Sequence, residues 1–259
     1  MDDQPVAHQD SYYRQNEAYA KFLAGWDAKF YAKYADTLRP AKPCARALDV
    51  GCGVGQVVAR LSEAGFEAWG VDVSEPNIAR ARTYSDRCQL YDGRTLPFPD
   101  QHFASAGALN VLEHVDEPEA FIGELVRVVE IGGRVVLSSP NFFRVIGFRD
   151  YHPRMRGWAN KWRNGMRLQE KRRVIRQDPA SVRFDRMQPI VKQPFTPDDD
   201  AIVATNGVEM KFFLERAGCR VESVSCCDRY VARLIDLVLN LTPLRYVMFN
   251  AFLVATRLR

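Results

Sequence analysis

The residues able to do chemistry sit in a short part of the chain. Leu48-Asp49-Val50 runs into Gly51-Cys52-Gly53-Val54-Gly55-Gln56. An apolar run ending in alternating glycines, with a helix to follow, is a general way to bring bare backbone against a nucleotide. A dinucleotide loop wants glycine or alanine at its sixth position to seat the helix, and that position here is Gln56. Asp49 would also set a carboxylate beside a pyrophosphate, two like charges in a confined site. The loop therefore suits a ligand with a cationic end, such as a free ammonium group, better than a dinucleotide. Asp72 closes a second apolar run 21 residues after Gly51. There an acidic side chain can accept both ribose hydroxyls of an adenosine. Asp92 ends a third run at Tyr-Asp-Gly, where it could accept a hydrogen bond from an adenine amino group.

Two histidines are candidate bases. His114 lies four residues past Asn110 in Asn-Val-Leu-Glu-His, and a base is useful when a hydroxyl is the nucleophile. The alternative is a structural histidine that bonds its own loop or Glu113. His152, in Asp-Tyr-His-Pro-Arg, is the second candidate. The six cysteines form no C-x-x-C pair and the four histidines cluster with none of them. No metal site or disulfide framework is expected, and reduced thiols fit a cytoplasmic protein.

The elements that must position these residues alternate. Strand-like runs at 46–50, 68–73, 88–91, 103–109 and 134–138 enclose helix-like segments at 54–64, 76–84 and 117–130. Units of this length make a doubly wound, mostly parallel sheet with helices on both faces. A helix over 198–217, a strand at 219–225 and a last strand at 250–256 bring the sheet to seven strands, the last one antiparallel. Before the sheet, 11–38 reads as one or two helices rich in aromatics (Tyr12, Tyr13, Tyr19, Phe22, Trp26, Phe30, Tyr31, Tyr34). They either pack on a core or form a lid over a ligand. Three parts result: a helical lid at 1–43, an α/β domain from 44–141 and 198–259, and an insertion at 142–197 with a helix near 158–176.

Charge separates the insertion from the rest. It holds fourteen Lys or Arg against four acids, a net of +10, whereas the remainder holds 22 against 28, a net of −6. The N-terminus is acidic without an apolar core, so it does not read as a signal peptide. The apolar stretch 230–256 is broken by Arg233, Asp236 and Arg245, and its uncharged runs fall short of the roughly 18 residues of a membrane span. A soluble protein follows, with contact at a membrane surface left open for residues 227–249.

Taken together, LDVGCGVGQ, GVDVSEPNIARAR, DGRTLPFPD, ALNVLEHVDEPEAFIGELVRVV and GGRVVLSSPN resemble the class I S-adenosylmethionine-dependent methyltransferases, within them the small-molecule type. The resemblance implies S-adenosylmethionine as cofactor. Asp49, Gly51, Cys52, Gly53, Gly55 and Gln56 would line its methionine part, beneath a tyrosine such as Tyr19. Asp72 would hold the ribose, Val73 would flank the adenine, and Asp92 and Gly93 would meet the base edge. Asn110, with Val111 beside it, would lie near the sulfonium. The chain departs from the common pattern at Phe103-Ala104 and at Ile131-Gly132-Gly133, both strand entries.

Methyl transfer from a sulfonium is a displacement governed by alignment and desolvation. The acceptor is expected to be an anionic small molecule, sugar- or lipid-bearing, methylated on oxygen. Arg149, Arg154 and Arg156 would clamp it with Tyr151 beside them, and the insertion would cap the carboxyl end of the sheet. DNA is not an expected partner, and the oligomeric state stays open. RNA methylation is the first rival, disfavoured by the net acidity outside the insertion. A non-catalytic partner subunit is the second, disfavoured because the glycine and ribose positions are intact.

Overall fold

Strand β1 (Arg46–Val50) alternates its side chains between two cores: Ala47 packs on one face, Leu48 and Val50 on the other. The same division continues through β2 (Glu67–Asp72), β3 (Cys88–Leu90), β4 (Phe103–Leu109) and β5 (Val129–Pro140). The computed structural model describes residues 12–147, 150, 152–190 and 198–259. Its main sheet has the order β3-β2-β1-β4-β5-β9-β8, where β8 is Cys219–Ser225 and β9 is Asn250–Arg257. The first five strands are parallel, and β9 runs antiparallel to both β5 and β8. The expected seven-stranded, doubly wound sheet is thus present. Between β5 and β8, β6 (Asp185–Arg186) and β7 (Val203–Ala204) form a small antiparallel ribbon.

Helices cover both faces because both faces of a parallel sheet are apolar. Helix Gln56–Glu63 turns Val57, Val58 and Leu61 onto one core, and helix Pro118–Arg127 turns Phe121, Ile122 and Leu125 onto the other. Burying a leucine such as Leu61 or Leu125 completely contributes about 1.5–3 kcal/mol. Two element boundaries differ from the sequence reading. The helix expected over 117–130 stops at Arg127, because Val129 already pairs with Phe103 as the start of β5. The helix expected from 198 starts only at Gly207, where the Asn206 side chain accepts from the N–H groups of Val208 and Glu209. The residues in front of it are used for the β6–β7 ribbon and for the cavity described below.

The N-terminal aromatics fold as helix Glu17–Ala24, a 3₁₀ turn Ala28–Tyr31 and helix Ala32–Leu38. Ser105 Oγ donates to the Leu38 carbonyl at 2.6 Å. Arg134 donates to the carbonyls of Thr37 and Arg39 at 2.9 and 2.8 Å. These bonds satisfy the carbonyls at the end of helix Ala32–Leu38 and fix it on the sheet. In the insertion, helix Trp158–Gln177 packs against helix Gly207–Arg216. A small core of Phe142, Phe143, Met155, Leu168 and Met187 holds it in place. No helix among the described residues is long and apolar enough to cross a membrane.

Candidate active site

The ends of β1, β2 and β4 open into one cavity. Its floor follows from backbone geometry. Gly51 has φ +73°, and a Cβ there would stand 2.3 Å from Val111 Cγ2. Gly55 has φ +87°, and its Cβ would stand 2.9 Å from Ala81. Neither position accepts a side chain, so the chain turns tightly and leaves bare backbone facing the cavity. Asp72 ties this turn to β2: its Oδ2 accepts from Gly53 N at 2.9 Å and its Oδ1 from Ser74 N at 2.8 Å. Burial raises the Asp72 carboxyl, and these backbone donors oppose the shift.

Asp49 is buried beneath the loop and accepts from the Tyr34 hydroxyl at 2.9 Å. Burial, opposed by that hydroxyl and assisted by neighbouring Asp72, has pushed its pKa up to about 7. A cation beside Asp49 would relieve this cost of desolvation. Asn110, at the end of β4, holds φ +54°, a left-handed conformation uncommon for anything but glycine. Its Oδ1, Asn77 Oδ1 and Gln56 Oε1 are buried without a hydrogen-bond partner among the described residues, and all three residues line the cavity. Two carboxyls and three orphaned carbonyl oxygens make a wall of acceptors, while no lysine or arginine lines the described cavity. Such a wall fits a ligand that brings donors and positive charge: an ammonium, a sulfonium, ribose hydroxyls and an adenine amino group. S-adenosylmethionine has all of these, whereas a pyrophosphate would face the Asp49 and Asp72 carboxyls with no lysine or arginine in the described wall to offset its charge.

Across the cavity stands a second group of polar residues. The Tyr13 hydroxyl donates to Asp200 Oδ2 at 2.5 Å and lies 2.9 Å from His114 Nδ1. Tyr13 has one proton, so Nδ1 donates to the tyrosine oxygen and the lone pair of the imidazole is assigned to Nε2. Burial, with Tyr19 and Asp200 nearby, raises Tyr13 well above its ordinary value, so it stays protonated. Glu113 is fully buried, accepts from Ser139 Oγ at 2.7 Å, and is also raised well above its usual range by burial. Glu113, His114 and Asp198 place ligand atoms within 4.8 Å of one another, close enough to hold a metal ion. Around this group the cavity is aromatic: Tyr12, Tyr19, Phe22, Trp26, Phe30 and Tyr31.

Of the expected site residues, the cavity brings together Tyr19, Asp49, Gly51, Cys52, Gly53, Gln56, Asp72, Val73, Asn110, Val111 and His114. Gly55 acts through its conformation beside Ala81. Asp92 and Gly93 are not in the wall: Asp92 is exposed and accepts from Arg94 N and Thr95 N at 2.8 Å each, while Tyr91 lines the cavity instead. His152 is buried elsewhere, its Nδ1 accepting from Arg154 N at 3.2 Å and its ring 5.1 Å from that of Phe142. It holds the insertion together rather than reaching the reaction centre. The arginine clamp is corrected as well. Arg156 is exposed and donates to the Asp150 carbonyl, and Arg154 faces Arg167 and Asp185, so neither lines the cavity. Arg149 and Tyr151 lie outside the described residues. Trp158, at the start of the insertion's long helix, is 82% exposed. The reading missed Asp200 and the role of Tyr34; the Asp198-Asp199-Asp200 run was the available signal.

Residues 48–137 match the family model described as a methyltransferase domain. The ubiquinone biosynthesis O-methyltransferase of Bradyrhizobium sp. (strain ORS 278) is 34% identical over 101 residues, which cover 37% of this chain and 40% of that protein. The 24-methylenesterol C-methyltransferase 2 of Oryza sativa subsp. japonica is 33% identical over 113 residues, 40% of this chain and 31% of that protein. The chain thus spans well under half the length of these relatives. Among solved structures, the Haloferax volcanii complex of the Trm112 methyltransferase activator with a putative methyltransferase aligns at TM-score 0.60 and 17% identity, over 95% of this chain and 99% of that one. An S-adenosylmethionine-dependent methyltransferase from Mesorhizobium loti aligns at TM-score 0.56 and 17% identity, over 91% and 100%. At such identities the likeness is one of fold.

Proposed function

We propose that this chain, whose fold and central segment are those of the class I S-adenosylmethionine-dependent methyltransferases, transfers a methyl group to a hydroxyl of a small, neutral, largely apolar acceptor. S-adenosylmethionine supplies, when bound, a methyl group already activated by its sulfonium. The residues that would hold it are Asp49, Gly51, Gly53, Asp72 and Asn110, the acceptor-rich wall. The carrying observation for the acceptor side is the Asp200–Tyr13–His114 chain of hydrogen bonds. It fixes the imidazole so that Nε2 can take a proton from an attacking hydroxyl. The aromatic wall excludes water and suits an aromatic or aliphatic acceptor body. The described wall is aromatic and acidic, which favours a neutral acceptor over the anionic one the sequence suggested. The six free thiols suit a reducing, cytoplasmic setting.

The test is transfer of labelled methyl from S-adenosylmethionine to a panel of catechols, phenols, aliphatic alcohols and sugar phosphates. Methylated phenols or alcohols are the expected products. Turnover confined to the phosphates would return the acceptor to the basic insertion. A second reading comes from the Glu113–His114–Asp198 grouping: a divalent ion there would lower the acceptor's pKa in place of a base. Activity that survives chelation favours the histidine. Activity lost to chelator and restored by magnesium favours the ion.

A further inference from the structure

The helix Arg233–Leu241 has its faces reversed. Two of its polar residues are half-buried: Asn240 Oδ1 accepts from Cys226 N at 2.9 Å, and Asn240 Nδ2 donates to Asp236 Oδ1 at 2.8 Å. Leu239 joins them, packing on the small cluster of Cys226, Cys227 and Met248. The outward stripe is purely apolar. Leu234, Leu237, Val238 and Leu241 follow the i, i+3, i+4, i+7 spacing of one helix face, with Ile235 beside it. They are exposed at 73, 52, 51 and 73%, and Ile235 at 54%. No residue of this helix is buried. A soluble helix turns such a stripe to the core; this one turns it to the surroundings.

The surroundings of the stripe are basic. Arg229 and Arg233 flank its start and Arg245 follows its end. Tyr246 lies beneath two guanidinium groups, Arg245 at 5.1 Å and Arg172 at 5.5 Å. Arg172 belongs to helix Trp158–Gln177, which carries seven Lys or Arg and one acid, Glu170. The contact at Tyr246 therefore joins the apolar ridge to the basic face of the insertion, which the proposed methyl transfer does not use.

We propose that this joined surface docks the protein on an anionic lipid bilayer. The ridge would lie at the boundary of headgroups and acyl chains, with the arginines of the insertion over anionic headgroups. Charge complementarity selects a negatively charged medium, and a projecting row of Leu, Ile and Val with no aromatic or hydrogen-bonding group suits a soft apolar one better than a shaped protein groove. Docking there also sets the cavity mouth near the membrane, since Arg229 lies 4.6 Å over the ring of Phe30, a cavity residue. The inference does not depend on methyl transfer, and its test needs no cofactor.

The experiment is flotation of the full chain with vesicles of phosphatidylcholine alone or of equimolar phosphatidylcholine and phosphatidylglycerol. Binding to the anionic vesicles is expected, weakening as salt is raised. The pair Leu234→Asp and Leu241→Asp should lower partitioning by about tenfold or more, and so should Arg172→Glu with Arg176→Glu. The leucine positions are mostly solvent-exposed, so the substitutions empty no core, and an unchanged Tm confirms folding. Failure to bind the anionic vesicles would overturn the proposal, as would binding indifferent to the leucine pair. A leucine pair that instead turns a dimer into a monomer in light scattering would assign the ridge to a second copy of the chain.

Discussion

The two sides of the cavity are built on different principles. The cofactor side is made by strand ends in one sheet: Asp49, Gly51, Asp72 and Asn110 each stand where a β-strand stops or just beyond it, and register fixes their spacing. The proposed acceptor side draws Tyr13, His114 and Asp200 from three parts of the chain separated by 101 and 86 residues. Parallel pairing determines the first side almost rigidly. The second depends on how the N-terminal helices and the return of the insertion settle on the sheet, so the acceptor side can vary while the cofactor side stays constant.

The sharpest way to break this comparison is Gly51→Ala. The new Cβ would meet Val111 at a distance no side chain tolerates, in a left-handed backbone. It should lower cofactor affinity by about a hundredfold and cost on the order of 1–3 kcal/mol of stability. Calorimetry and thermal melting check both. A tolerated alanine would show the floor of the cavity to be soft. On the other side, His114→Ala should lower turnover by roughly 10² while leaving cofactor affinity nearly intact. Tyr13→Phe, which removes the link to Asp200, should fall between this variant and the parent. Steady-state kinetics beside cofactor titrations would show whether the two sides separate as claimed.

A weaker effect comes from Asp49. Its carboxyl titrates near 7, and a cationic cofactor prefers it ionised. Affinity should therefore fall by up to about tenfold per pH unit below 7. Without ligand the sign reverses. The folded pKa lies above the unfolded one, so the native state binds more protons, and stability should rise as pH falls from 7 toward 4. Glu209, also pushed up to about 7 by burial, adds to the stability trend but not to the binding trend. Asp49→Asn should flatten the pH dependence of cofactor affinity, which calorimetry at several pH values would reveal. The smallest effect belongs to Arg156→Ala. This side chain is exposed and donates to the Asp150 carbonyl, so stability should change by less than about 0.5 kcal/mol. Cofactor affinity and acceptor KM should stay put. A raised KM would bring the insertion's charge back to the acceptor.

The sequence was legible where chemistry and covalent neighbourhood coincide. Asp49, the glycines and Asp72 carry their roles in local spacing, because a strand, a turn and a helix cap are short-range objects. The place of His114 in the cavity was legible for the same reason, since it lies four residues past Asn110. Asp200 was not, since a run of three aspartates before an apolar segment reads equally as the start of a helix. Only the position of Tyr13 distinguishes the two. Arg154 and Arg156 lie off the described cavity wall: charge density was visible in the sequence but direction was not. Arg156 sits on a loop that faces solvent, and His152 turns into a core made by Phe142 and Met155. Sequence spacing reports no such orientation across an insertion.

The position of β9 has a consequence in time. In the main sheet β8 pairs with β9 alone, and β9 lies between it and β5. During synthesis β1 to β5 can pair as they emerge, each joining a neighbour already made. β8 cannot: it must wait for a segment that follows it. Until residues 250–257 arrive, the long β5 offers an open edge with Val135 and Leu137 beside it, the kind of surface that recruits another chain. Arg257 closes the sequence of events. Its guanidinium donates to the carbonyls of Val126 and Arg127, at the end of helix Pro118–Arg127, and of Val129, at the start of β5. The register of the last strand is thus latched by a residue at its far end, and newly made chains should be most prone to aggregate in the interval before that latch is available.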